Sequence, residues 1–204
     1  LSTIAVTVVA LPVGYGLSRA KFRGRSALDT LLTLPLVLPP TVVGYGIIVV
    51  FGSQGWAGAW LREAFGFSIM FRVEGAVLAA AIVSFPLLYL PAKAAFASVD
   101  SEFEDIAALM GANRWQVFWH VALPIARRGI VSGQMLAFAR ALGEFGATVM
   151  VFGWRPGRLT MPISIYSAYE QGRIGEALPT VLAMVAICFV LLIMVNKAAR
   201  QATR

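Results

Sequence analysis

Apolar residues in this chain come in long runs separated by short polar segments, without the strict alternation of half-buried strands. Four runs carry no charged residue: Leu1–Ser18, Thr30–Phe51, Gly75–Ala92 and Ala177–Asn196. A fifth, Gly129–Gly153, qualifies but for Arg140 and Glu144. A helix needs about 20 apolar residues to cross a bilayer, and in lipid the backbone polar groups must be bonded within the segment. A transmembrane barrel would instead show short alternating stretches. The pattern predicts an all-α, polytopic helical bundle of about five spans, forming one membrane domain over residues 1–204. Leu1–Ser18 reads as most of a first helix whose start is cut off, because the apolar run begins at once and its basic residues follow it, unlike those of a signal peptide.

Composition agrees, at 59% hydrophobic and 13% charged residues, where a soluble domain carries about 25% charged. The net charge of +7 would suit nucleic acid, but the placement of the charges argues against it. With Arg19–Arg25 placed in the cytoplasm, eleven of the 17 Lys and Arg fall inside: Arg19, Lys21, Arg23, Arg25, Lys93, Arg114, Arg127, Arg128, Lys197, Arg200 and Arg204. Arg62, Arg72, Arg155, Arg158 and Arg173 fall outside, and Arg140 lies in a span. This inside excess predicts an outside N-terminus and an inside C-terminus. The single cysteine, Cys188, allows no intrachain disulfide.

Prolines stand in the first three spans: Pro12 in the first, Pro35, Pro39 and Pro40 in the second, Pro86 and Pro91 in the third. Leu38-Pro39-Pro40-Thr41 should break or kink the second helix near its middle, since each proline removes a donor and disfavours helix before it. Freed carbonyls there could line a polar path; the alternative is a packing kink, with Gly44 and Gly46 allowing close helix contact.

The segment Lys93–Arg128 reads as two short cytoplasmic helices around a glycine turn. Ser101 and Glu104 are spaced as a capping box, with Glu102, Glu104 and Asp105 near the positive helix end. Gly111 is placed to end the first helix. Asn113 and Gln116 are spaced to cap a second, on which Trp115, Phe118, Trp119 and Ala122 share one face and which Pro124 closes. Such a face either lies on the membrane interface, where tryptophan is favoured, or docks into a partner's groove.

Asp105-Ile106-Ala107-Ala108-Leu109-Met110-Gly111, followed by Val121-Ala122-Leu123-Pro124, resembles the EAA loop of bacterial importer permeases, with Asp105 for Glu, Ile106 for Ala and Val121 for Ile. Leu34–Tyr45 resembles the second-span signature of molybdate permeases. Phe138–Thr148 resembles the corresponding later span of molybdate and sulfate permeases. The resemblance implies that residues 98–124 form a loop that inserts into a cleft on an ATP-hydrolysing subunit, with Glu104, Asp105, Ala107, Ala108, Gly111, Trp115, Phe118, Trp119, Leu123 and Pro124 as its coupling residues. It implies molybdate as cargo, with tungstate or sulfate as alternatives. It also implies a second copy of the chain with the path between the two, two cytoplasmic ATP-binding cassette subunits holding ATP and magnesium, and an extracytoplasmic oxyanion-binding protein. The chain itself has no phosphate-binding loop of the Gly-x-x-x-x-Gly-Lys-Ser/Thr type, so it is expected to bind no cofactor and to catalyse nothing alone.

Pro39, Pro40, Thr41 and Gly44, with Arg140, Gly143, Glu144, Gly146 and Thr148, are the candidate path or gate residues. Arg140 and Glu144 are one helical turn apart and can pair. Ionisable groups within spans normally face the bundle interior or a water-filled cavity. Arg140 could contact an oxyanion through its planar donor fork, but a strong site would hold the ion too tightly for transport. A gate or helix-locking pair is therefore favoured. Two rivals remain. A stand-alone transporter or channel would have no use for the long cytoplasmic helix pair. An intramembrane enzyme would need catalytic groups in the spans, whereas the only histidine, His120, lies in the loop.

Overall fold

The computed structural model describes residues 1–154 and 159–202, with side chains through Met194. Arg155, Arg158, Arg204 and the side chains of Lys197 and Arg200, used in the charge count, lie outside the described residues. Among the described residues all regular structure is helical: α1 (Ser2–Arg19), α2 (Arg25–Thr33), α3 (Pro40–Phe51), α4 (Trp56–Phe65), α5 (Val73–Ala97), α6 (Ser101–Leu109), α7 (Arg114–Val117), α8 (Leu123–Leu142), α9 (Gly146–Phe152), α10 (Met161–Glu170) and α11 (Ile174–Ala202).

At the centre stands α5, 25 residues long and unbroken despite Pro86 and Pro91. It packs on α1 and α8 through a core that includes Val6, Ala10, Leu88, Tyr89, Ala92, Phe96, Phe118, Ile130 and Ala137. The α5–α8 approach depends on missing side chains: a Cβ at Gly129 would stand 2.6 Å from the Ala95 Cβ, and one at Gly133 would stand 3.1 Å from the Leu88 Cδ1. Gly129 and Gly133 form a Gly-x-x-x-Gly pair, the spacing that lets helix backbones meet in a membrane. A second core joins α3, α5 and α9 through Val43, Ile47, Ala79, Val83, Ala147 and Val151. By contrast, α11 leaves Leu178, Leu182, Val185 and Phe189 uncovered. A helix this apolar on all sides belongs in lipid or against a partner.

Among the described residues two helices, α5 and Ile174–Met194 of α11, can cross a membrane by length and composition, and four can if each of two bent pairs is one span. The expected fifth, α1, is 18 residues ending in Arg19 and falls short of that measure. Both bent pairs are breaks within predicted spans. Arg25–Leu36 meets Pro40–Phe51 at 111°, far more than a kink, because Pro40 starts α3 and cannot continue the preceding turn. Arg114–Leu142 meets Gly146–Phe152 at 58°, so the predicted continuous run Gly129–Gly153 is interrupted at Gly143-Glu144-Phe145.

Two further expectations are corrected. Asp100, not Ser101, caps α6, its side chain accepting the Glu102 N–H; an extended residue just before the first turn is the one placed to cap. Pro124 does not close the second helix of the loop. A π-helical turn over Phe118–Ala122 carries the helix from α7 into α8, with the Leu123 N–H bonded to the Phe118 carbonyl five residues back. The wider turn accommodates the donor that proline lacks.

Candidate functional site

The expected coupling residues gather on one loop but divide between two faces. The turn is as anticipated: Gly111 sits at φ +91, which its lack of a Cβ permits. Asn113 and Gln116 form a complete capping box, with bonds of 2.9 and 2.8 Å. Trp115 and Trp119 are exposed, whereas Phe118 and Ala122 are buried, so the four residues do not share one solvent face. Phe118 instead connects the tryptophans to the core. Its ring lies 5.7 Å from Trp115 and 5.3 Å from Trp119 on one side, and 5.1 Å from Tyr15 and 5.9 Å from Phe96 on the other.

On α6, Asp105 and Ala108 are exposed and Ala107 is half-buried. Leu123 is half-buried and Pro124 exposed. Phe103, Ile106, Leu109 and Met110 are exposed too, and extend the apolar surface formed by the tryptophans. Sequence reasoning did not select these four. For Phe103, Ile106 and Met110 the signal was the spacing i, i+3, i+7 on one helical face, from which the half-buried Glu104 is turned by more than a quarter of a turn. Glu104 turns away from that surface: its carboxylate accepts from Arg19 at 2.7 Å and from Tyr15 at 3.1 Å. A cavity of about 580 Å³ lies beside this contact, lined in part by Asp105, Ala108, Ala112 and Arg114.

Within the bundle the two broken spans meet at their breaks. A Cβ on Gly146 would approach the Pro40 Cβ to 3.0 Å and the Thr41 Cγ2 to 3.5 Å. A Cβ on Gly44 would stand 2.9 Å from the Ala147 Cα. The structure thus brings Pro40 and Thr41 against Gly146, and Gly44 against Ala147. It separates the two α3 glycines, because Gly46 has nothing within 4 Å. Pro39, Thr41, Tyr45 and Gly46 lie on the uncovered side of α3, and Gly143 is exposed at the end of α8.

Arg140 and Glu144 pair at 2.6 Å across the α8–α9 break, with side-chain exposures of 32% and 1%. The second Glu144 oxygen accepts the Ala147 N–H at 2.8 Å and so caps the first turn of α9. Glu144 and Thr148 line a cavity of about 310 Å³ that also reaches Ser2, Thr3, Phe138 and Thr160. Trp154, Tyr166 and Tyr169 form an aromatic cluster. A hydrogen bond to the Glu170 carboxylate holds the Tyr166 hydroxyl above the ordinary phenol pKa. Among the described residues no group of three or more His, Cys, Asp or Glu is placed to hold a metal ion.

A family model described as the binding-protein-dependent transport system inner membrane component matches residues 8–203. The chain is 43% identical over 184 residues to the molybdenum transport system permease protein ModB of Escherichia coli strain K12, covering 87% of this chain and 80% of that one. It is 34% identical over 184 residues to the sulfate transport system permease protein CysW of a Synechocystis strain, covering 89% and 66% respectively. Among solved structures, an inward-facing form of the MetNI methionine ABC transporter superposes with a TM-score of 0.65 over 100% of this chain and 94% of that one, at 17% identity, a likeness of fold.

Proposed function

The chain belongs to the family of binding-protein-dependent transport system inner membrane components, and from that membership we infer that it is the permease of an ATP-driven oxyanion importer whose cargo is molybdate. The observation that carries the cargo is its identity to ModB across most of both chains. As a permease it is a membrane subunit, and ATP hydrolysis belongs to a separate partner. The working unit in this reading is two copies of the chain with two ATP-binding cassette subunits and an extracytoplasmic oxyanion-binding protein. The path runs between the copies, beside the uncovered face of α3 that bears Thr41, Tyr45 and Gly46.

The apolar surface of Phe103, Ile106, Leu109, Met110, Trp115 and Trp119 is the docking face for the ATPase. Large exposed apolar side chains on a helix pair at the cytoplasmic end suit a groove better than water. Arg140 and Glu144 act as a lock on the break of the fourth span, since both Glu144 oxygens are engaged within the chain. The test is uptake of molybdate into vesicles holding the permease, its ATPase and its binding protein, with and without ATP. Uptake that continues without ATP or without the ATPase would favour a stand-alone transporter. A sulfate reading is favoured by the likeness to CysW. Calorimetric titration of the cognate binding protein with molybdate, tungstate and sulfate separates these cargoes.

A further inference from the structure

The coupling loop follows α5 and leads into α8, so a push on the loop reaches those two helices through the chain itself. No such connection reaches α1, whose last residue before its cap is Arg19. Yet both oxygens of Glu104, in the first turn of α6, are occupied by α1. Oε1 accepts from the Arg19 Nη2 at 2.7 Å, and Oε2 accepts from the Tyr15 hydroxyl at 3.1 Å. The same Nη2 donates to the Val99 carbonyl at 2.8 Å. One guanidinium therefore bridges the end of α1, the α5–α6 junction and α6. The pair is drawn in from solvent, with side-chain exposures of 28% for Arg19 and 13% for Glu104. Its charges also suit the helix ends that carry them, a cation in the last turn of α1 and an anion in the first turn of α6. Directly behind it the Tyr15 ring packs edge-on to Phe96 at 5.4 Å and against Phe118 at 5.1 Å. The other acids of the loop differ: Asp100 caps its own helix, and Glu102 and Asp105 face solvent.

We propose that Glu104, Arg19 and Tyr15 form a strap that makes α1 move as one body with the coupling loop. Glu104 is then a positioning residue for energy coupling and makes no contact with the ATPase. The proposal rests on the importer reading above. Without the strap, displacement of α6 is absorbed by flexing at its two hinges, the Ser98–Asp100 junction and Gly111. With it, the displacement is delivered to α1, which packs along α5 through Val6, Ala10 and Leu17.

The test uses the complete importer in liposomes, supplied with molybdate-loaded binding protein, and reads molybdate taken up per ATP hydrolysed. Arg19→Gln and Glu104→Gln should each lower that ratio about five-fold or more, while the ATPase still co-purifies in the wild-type amount. The exchanged pair, Arg19→Glu with Glu104→Arg, should recover most of the ratio, which general damage to the loop would not allow. Tyr15→Phe keeps the ring packing and removes only the hydroxyl bond, so it should shift the ratio in the same direction even if a charged variant fails to fold. Wild-type ratios in the single variants and in Tyr15→Phe, or an exchanged pair no better than either single, would overturn the strap and leave the importer reading standing. A wild-type chain that captures no ATPase would overturn that reading itself.

Discussion

A carboxylate inside a span needs its charge answered, and Glu144 has two partners: the Arg140 guanidinium at 2.6 Å and the Ala147 N–H at 2.8 Å. The first is a charge partner and the second a helix cap, so substitutions at the two ends of the pair should not be equivalent. Arg140→Gln leaves a buried carboxylate with only the backbone donor. Breaking a buried pair costs about 3–5 kcal/mol. The low end applies, because a third of the Arg140 side chain stays exposed. Glu144→Gln keeps an amide oxygen for the Ala147 N–H, and so retains a cap worth about 1 kcal/mol while losing the charge. If the pair is a lock, each single variant lowers the stability of the purified permease and its transport, and the double variant Arg140→Gln with Glu144→Gln recovers part of both. Melting and uptake measured on the same four proteins decide it. A stably folded double variant no better than the worse single one would transfer Arg140 to the anion path.

At the scale of elements, the loop's second helix and the fourth span are one continuous helix, joined through the π turn at Phe118–Ala122. Trp115 and Trp119 are thus mounted on the same shaft that carries Arg140. Truncating an apolar anchor at the centre of an interface costs about 2 kcal/mol or more. Trp119→Asp should therefore reduce ATPase co-purification more than tenfold, with membrane insertion unchanged. Gly111→Val should act by another route, straining the turn by roughly 1–2 kcal/mol because a β-branched side chain is poorly housed at positive φ. Normal capture of the ATPase by both variants would remove the docking face. These elements were unequally legible. Gly111 and the Asn113–Gln116 box are local signals and could be read from spacing alone. The break at Pro39-Pro40 was legible in position but not in its 111° extent, since the angle depends on what α3 packs against. The break at Gly143 was hidden, because Glu144 fits an i, i+4 pair on a continuous helix as well as it fits a cap across a gap. Pro124 was misjudged because a π turn can pass a proline and has no simple sequence signal. Glu104 read as the acid of a capping box and as a coupling residue, because the partner that claims it, Arg19 of α1, lies 85 residues away in sequence.

For the whole molecule, the orientation rests on where the basic residues collect. The structure places Arg19 on the coupling loop through Glu104, and Lys93 at the end of α5 on Asp29 of α2 at 2.5 Å. The short loop Ala20–Gly24, the elbow helix α2, the end of α5 and the coupling loop therefore form one rim. A positive-inside distribution predicts that this rim is cytoplasmic, with α4 and α10 on the outer side. Cysteine labelling can test this once the native thiol is removed by Cys188→Ala. Single cysteines at Arg23 and Asn113 should be shielded from an impermeant maleimide in intact cells and react after permeabilisation. Cysteines at Gln54 and Gln171, both exposed, should react in intact cells. Gln54 is a better probe than the adjacent Gly55, where a Cβ would stand 2.3 Å from the Val50 carbonyl. Labelling at position 113 from outside would invert the molecule. It would put Trp115 and Trp119 on the face where no ATPase can reach them, so docking, the strap and the importer reading would fall together.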